Sequence, residues 1–288
     1  RIGRYTTAQT LAFDAAQRFT QNDMLHARAA DQLLSAAPWV GGGMSHFAQD
    51  PLSQTTTQLM GSIQLTPRWR LTAQTEQTDR QVTDTNALIS DLPRDQTQLV
   101  AAHYTPGSDS ALELSLHQRS GFASTTGLLL EAQRQITPRL RLGGSLGWAQ
   151  PATDNIYTRI GAMRDFMQIQ ATARLSQRES AHLEFTRNRY AVQGGDTFGN
   201  GTTLHLTLRH ALRLEAPDLN VHVGAAQLRY HPDAGLTPGL LTLLAPVLRP
   251  LATNATWLPA STHQLSTGLT CGQGARLRPT RRWRAFCS

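Results

Sequence analysis

The sequence predicts an all-β protein, an antiparallel transmembrane β-barrel preceded by a short α-helical hairpin, and three observations carry that prediction. From about residue 57 onward, apolar and polar residues alternate with a period of two in one segment after another. The connections between those segments are short at one end and mostly long at the other. No run of about eighteen apolar residues occurs, which excludes a membrane-crossing helix but not a membrane-crossing strand.

Residues 1–38 differ from the rest. Leu11, Ala15, Ala16 and Phe19 recur at helical spacing, as do Leu25, Ala29, Ala30 and Leu33. Gln21-Asn22-Asp23 separates the two runs and Pro38 closes the second. Two short antiparallel helices follow, readable as one terminal tetratricopeptide-like unit or as an ordinary helical hairpin.

Residues 39–288 read as the barrel. Leu59, Gly61, Ile63 and Leu65 alternate with Gln58, Met60, Ser62 and Gln64. Pro67-Arg68 turns the chain into Trp69, Leu71 and Ala73 against Arg70, Thr72 and Gln74. The pattern returns at Leu112–Leu116, Leu140–Trp148, Met167–Leu175 and Leu204–Leu214. About twelve strands are expected between 57 and 288. The Leu-rich stretch 235–258 has room for a further hairpin. Short turns are expected at 66–68, 106–110, 137–139, 177–180 and 215–218, and longer, or Gly-rich and Asp-rich, connections at 80–95, 150–163, 191–201 and 231–261, with the short connection near Ser120-Gly121 as the exception.

Turn parity sharpens this. If the helices are periplasmic, the first connection must be extracellular, yet Pro67-Arg68 is a short turn. Either an extra strand lies within 39–50, or the short turns point outward; the first option is preferred. It places the end of the last strand, Trp283–Cys287, outside, so a closed barrel is expected to continue past Ser288. The start at Arg1, with neither Met nor signal peptide, likewise reads as a fragment of a secreted protein.

The chain has 27 basic and 20 acidic residues, a net charge of +7 and a mean hydropathy of −0.34. The arginines are scattered except at Arg276–Arg284, so the gathered basic face that phosphate tracking needs is missing and nucleic acid is not an expected partner. Low hydropathy is compatible with a barrel, since half of every strand faces a polar lumen.

No phosphate-binding glycine loop, zinc-protease helix motif or nucleophile elbow is present, and no cofactor or enzymatic activity is expected. His182-Leu183-Glu184 matches half of a zinc-deaminase signature without its paired cysteines. Strand parity puts Glu76, Glu113, Glu131 and Glu184 on polar faces, with Arg70, Arg141, Arg174 and Arg209. A central Arg on the lipid side costs about 2–4 kcal/mol, so these charges are expected in a wet lumen. Glu76, Glu113, Glu131, Glu184, Arg141 and Arg174 are the candidate polymer contacts. Cys271 and Cys287 flank the last hairpin and fall about opposite each other, which permits a disulfide in an oxidising compartment; two free cysteines is the alternative.

The segment Leu183-Glu184-Phe185-Thr186-Arg187-Asn188-Arg189-Tyr190, with Gln193-Gly194-Gly195 and Leu204–Arg213, resembles the PelB-type outer-membrane exopolysaccharide exporters. So does the continuation from Glu215 through Leu228-Arg229-Tyr230. The resemblance implies helical repeats leading into a barrel of about sixteen strands. It implies export of a cationic amino-sugar polysaccharide, with a periplasmic or outer-membrane lipoprotein ring and a periplasmic deacetylase as partners. The location implied is the outer membrane, with the N-terminal helices in the periplasm. A general diffusion porin, or an exporter of cellulose or poly-N-acetylglucosamine, would share the strands.

Overall fold

A computed structural model describes Arg18, residues 37–276 and residues 282–287, apart from positions 67, 90, 108, 156, 214–217, 236, 242, 245–248 and 251. The helical pair expected before residue 38 lies outside the described residues, save for Arg18.

Thirteen strands form a single antiparallel meander in which each pairs with the next in sequence. They are β1 (Trp39–Gln49), β2 (Leu52–Gln64), β3 (Trp69–Val82), β4 (Asp95–Gly107), β5 (Ser110–Ser120), β6 (Ser124–Thr137) and β7 (Leu140–Pro151). There follow β8 (Ala162–Arg174), β9 (Glu179–Val192), β10 (Thr197–Arg213), β11 (Asp218–Pro232), β12 (Thr262–Arg276) and β13 (Arg282–Cys287). Neither β1 nor β13 has a second sheet partner among the described residues.

The strand expected within 39–50 is β1, which hydrogen-bonds to β2 along its whole length. The five connections expected as short turns therefore share an end with residue 38, while further short connections, β1–β2, β5–β6 and β9–β10, lie at the other end. Two expectations are corrected. Residues 235–258 form two one-turn helices, α2 (Pro238–Leu241) and α3 (Asn254–Trp257), rather than a hairpin. The buried Leu240, Leu243 and Leu244 follow no period of two because they join a core fed by several loops. Residues 191–201 are mostly strand, closed by a tight turn at Gly194 and Gly195, whose φ of +120° and +117° suit glycine. A further helical turn, α1 (Thr158–Gly161), sits between β7 and β8.

Alternation fixes the two faces of the wall. Outward lie Leu59, Val100, Leu116, Ile169 and Leu208, each about half exposed. Roughly 1.5–3 kcal/mol is at stake in removing each such side chain from water, so this face is built for lipid. Trp69 and Tyr104 stack at 4.5 Å on the outer side near the turn end, and Trp148 is exposed near the loop end. Aromatic residues at both borders of an apolar band mark a bilayer-spanning barrel. Inward lie Ser62, Ser115, Ser145 and Asn188, all buried. There too His117 covers Gly127 and Phe166 covers Gly147, leaving no room for a Cβ on either glycine.

Spanning needs only about 9–11 residues per strand. Strands here run to 17 residues in β10, so the wall continues past the apolar band.

Candidate functional site: the lumen and its capped mouth

The lumenal glutamates do not form one cluster. Glu113 and Glu131 are direct cross-strand partners on β5 and β6, and Glu131 is followed across the sheet by Ser145, Gln168 and Thr186. Opposite residues in antiparallel strands have Cβ atoms about 5 Å apart, so two carboxylates meet side by side. Glu113 also holds His103 Nδ1 at 2.9 Å. Glu184 lies farther round the wall on β9, with His182 Nε2 at 3.7 Å, and Glu76 accepts from Gln74 Nε2 at 3.5 Å on β3. His182 is held by Thr172 at 3.0 Å, as a strand residue among polar neighbours.

The candidate arginines lie elsewhere. Arg141 Nε donates to Gln135 at 3.2 Å and Arg174 Nε to the carbonyl of Ser176 at 3.2 Å, both beside the short turns. With Arg139, Arg178 and Arg209 they surround a depression of about 430 Å³ at the turn end. The wall thus carries a basic rim at the turn end and a carboxylate pair farther along. Among the described residues no group of three or more His, Cys, Asp or Glu is placed to hold a metal ion. Cys271 and Cys287 are register partners in β12 and β13.

Sequence reasoning missed what happens at the other end. The long connections fold together into a cap with its own apolar core. Leu88 and Leu92 from the β3–β4 loop, Ile160 from α1, and Leu240, Leu243, Leu244, Trp257 and Leu258 from the β11–β12 loop are all buried in one cluster. That cluster also contains Leu52, Tyr190 and Phe198, which belong to the strand ends. Loop therefore packs on wall, and the two are one hydrophobic unit.

Polar contacts knit the same parts. Ile89 N–H donates to Leu243 O at 3.2 Å, Asn155 Nδ2 to Trp257 O at 3.0 Å, and Thr237 N–H to Asn254 Oδ1 at 2.9 Å. Gln193, in the β9–β10 turn, receives the Phe122 N–H at 3.0 Å and donates its own N–H to Gly161 O at 2.8 Å. Below them Asp95 is clamped by two arginines, Arg80 at 2.7 Å and Arg119 through its Nε at 2.7 Å and its Nη2. Arg80 reaches on into the cap, to Arg159 O at 3.1 Å, and Arg119 reaches Ala162 O, where β8 leaves the cap, at 3.3 Å. The one available signal was the break in alternation at Leu240, Leu243 and Leu244, which argued against a lipid-facing strand.

The geometry is that of a channel with a polar wall, an open basic rim at one end and a packed cap at the other. A solved structure described as a bacterial polysaccharide outer membrane secretin matches with a TM-score of 0.61 at 10% identity, over 83% of this chain and 71% of the other. The NanC porin matches at 0.37 with 13% identity, over 81% of this chain and 97% of the other. A Pseudomonas aeruginosa FadL homologue matches at 0.42 with 10% identity, over 72% and 70%. No curated protein sequence matches the chain. The family model described as "PelB, C-terminal beta barrel domain" matches residues 34–288, nearly the whole chain, and the protein therefore belongs to that family of β-barrel domains.

Proposed function

We propose that this chain is an outer-membrane channel that exports a polysaccharide, with the turn end in the periplasm and the cap on the cell surface. The single observation that carries this reading is the asymmetry of the barrel, an accessible turn end against a mouth filled by a folded loop cap. Short periplasmic turns and long outer loops are the general arrangement of such barrels. The likeness in fold to a polysaccharide secretin supports a polymer as cargo. The polymer we infer is a Pel-like, cationic amino-sugar chain, and the Glu113–Glu131 pair is its counter-charge in the lumen, aided by Glu76 and Glu184. The net charge of +7 does not oppose this, because local potential governs passage. A lipoprotein ring at the turn end and a deacetylase reached through the helical pair expected within residues 1–38 complete the proposed assembly.

Transport of this kind requires no bond chemistry, only lumenal charge and a cap that yields. The channel reconstituted in planar bilayers tests it. Partly deacetylated galactosaminan oligomers, added on the turn side, are expected to block current at lower concentration than fully acetylated ones. Equal block by both removes the cationic polymer. A general diffusion porin is the competing reading, and rapid swelling of liposomes in small neutral sugars would favour it. The cap speaks against that outcome.

A further inference from the structure

The outer wall carries a second charged feature that the lumen does not explain. Arg187 and Arg189 on β9 share strand parity with Leu183 and Phe185, and both are exposed on the lipid side. Arg187 lies in one row with Thr202 and Arg229, and Arg189 with Asn200 and His231. Two strand spacings put Arg187 about 10 Å from Arg229. Arg229 is steadied by Gln227 on its own strand, whose amide oxygen accepts from Nη2 at 2.8 Å and Nε at 3.1 Å.

Arg187 and Arg189 have no hydrogen-bond or ionic partner among the described residues. Asp165 sits directly across from Arg189, but its Oδ1 accepts the Ala149 N–H at 2.8 Å. Asp233 stands at the loop edge of the same groove, a depression of about 620 Å³ running past Trp148, Met167, Arg187 and Arg189.

Height along the barrel decides what these arginines meet. Glu179 begins β9 at the turn end, and Arg187 is eight residues on. A strand tilted by about 40° climbs roughly 2.5 Å per residue, placing Arg187 about 20 Å up an apolar band about 25 Å tall. Arg187 thus lies in the upper part of that band and Arg189, two residues on, at its top, from where long guanidinium side chains extend to the headgroups of the outer leaflet. On β3–β6 the same outward level carries Thr75, Gln77, Gln98, Gln118 and Thr126, and the outward Asp79 just above them is already paired with Arg94 at 2.5 Å.

We infer that Arg187, Arg189 and Arg229 form a docking site on the outer wall for the phosphate groups of a phosphorylated glycolipid in the outer leaflet. Guanidinium groups take phosphate oxygens in bidentate fashion, and at the edge of the hydrocarbon the pair is poorly screened. The inference rests on the outer-membrane reading above, since a water-exposed wall would leave the arginines hydrated.

The test uses the full chain purified in detergent, with diphosphoryl lipid A, its dephosphorylated form and phosphatidylglycerol as probes in native mass spectrometry. Diphosphoryl lipid A is expected to bind at least about tenfold more tightly than the other two, and R187Q/R189Q/R229Q to lose that advantage. R134Q, an outward arginine at the turn end, is expected to bind as the unaltered chain does. Heat-modifiable gel migration reports that each variant is folded. Unchanged lipid A binding by the folded triple variant, or equal binding of phosphatidylglycerol, overturns the site while leaving the membrane reading intact. A chain that fails to float with liposomes overturns both.

Discussion

Arg80 reaches Asp95 at 2.7 Å and, from the same Nη2, the main-chain carbonyl of Arg159 at 3.1 Å, so one guanidinium ties the barrel wall to the cap. The side chains of Arg80, Asp95 and Arg119 are only 3%, 7% and 4% exposed, and Asp95 is the carboxylate that both arginines share. Asp95→Ala leaves two buried guanidinium groups without a counter-charge, a change that costs about 3–5 kcal/mol when a buried pair loses one member. The cap is expected to loosen before the wall does. Faster tryptic cleavage at Arg159, with heat-modifiable migration retained, is the predicted result; unchanged cleavage would mean that the clamp does not hold the cap.

Trp257→Ala tests the apolar half of the same union. Trp257 is fully buried and packs edge-on against Tyr157 at 5.7 Å. Removing a buried Trp side chain costs about 3–5 kcal/mol. Single-channel recordings should show more frequent or longer open events than the unaltered protein. An identical conductance record would argue that the cap does not limit passage.

The Glu113–Glu131 pair sets a selectivity prediction. Neutralising both as Glu113→Gln and Glu131→Gln removes adjacent negative charge from the wall, and the reversal potential in a salt gradient should move toward anion preference. Because the two are cross-strand neighbours, the single substitutions are coupled and need not add. No shift in the double variant would place these carboxylates in structural pairing alone, as the His103 contact of Glu113 already allows.

Cys271 and Cys287 are register partners, and we propose that they form a disulfide in the oxidising periplasm before insertion. A loop of this length implies a stabilisation of about 3 kcal/mol. Alkylation of the unreduced, denatured protein should label neither cysteine, and quantitative labelling of both would refute the bridge.

Gly127 offers a test of wall packing. Its position opposite His117 leaves no space for a Cβ, while His117 Nε2 also lies 3.0 Å from the carbonyl of Ala149. Gly127→Val should force the ring off that carbonyl and lower folding yield in detergent by several-fold. Gly107→Val, with open space where its Cβ would stand, serves as the contrast and should fold far better.

The sequence by itself determined the wall. Alternation at Leu204, Leu206 and Leu208 against Thr203, His205 and Thr207 depends only on the two-residue period of a strand and on lipid outside a wet interior. Of the two options that turn parity left, the preferred one was a strand where β1 lies, although Gly41-Gly42-Gly43 gives its middle little apolar signal. The cap could not be read in the same way. Leu88, Ile160, Leu244 and Trp257 stand far apart in the chain and share no periodicity; they meet only because the meander brings every second connection to one end. Parity assigns a charged side chain to a face, yet it says nothing of height or of neighbours several strands away. Only the register set Glu113 beside Glu131 and put Arg187 level with Arg229 across Thr202. Local pattern fixes direction, whereas proximity between distant segments is a property of the order and register of the strands and of the loops that pack on one another.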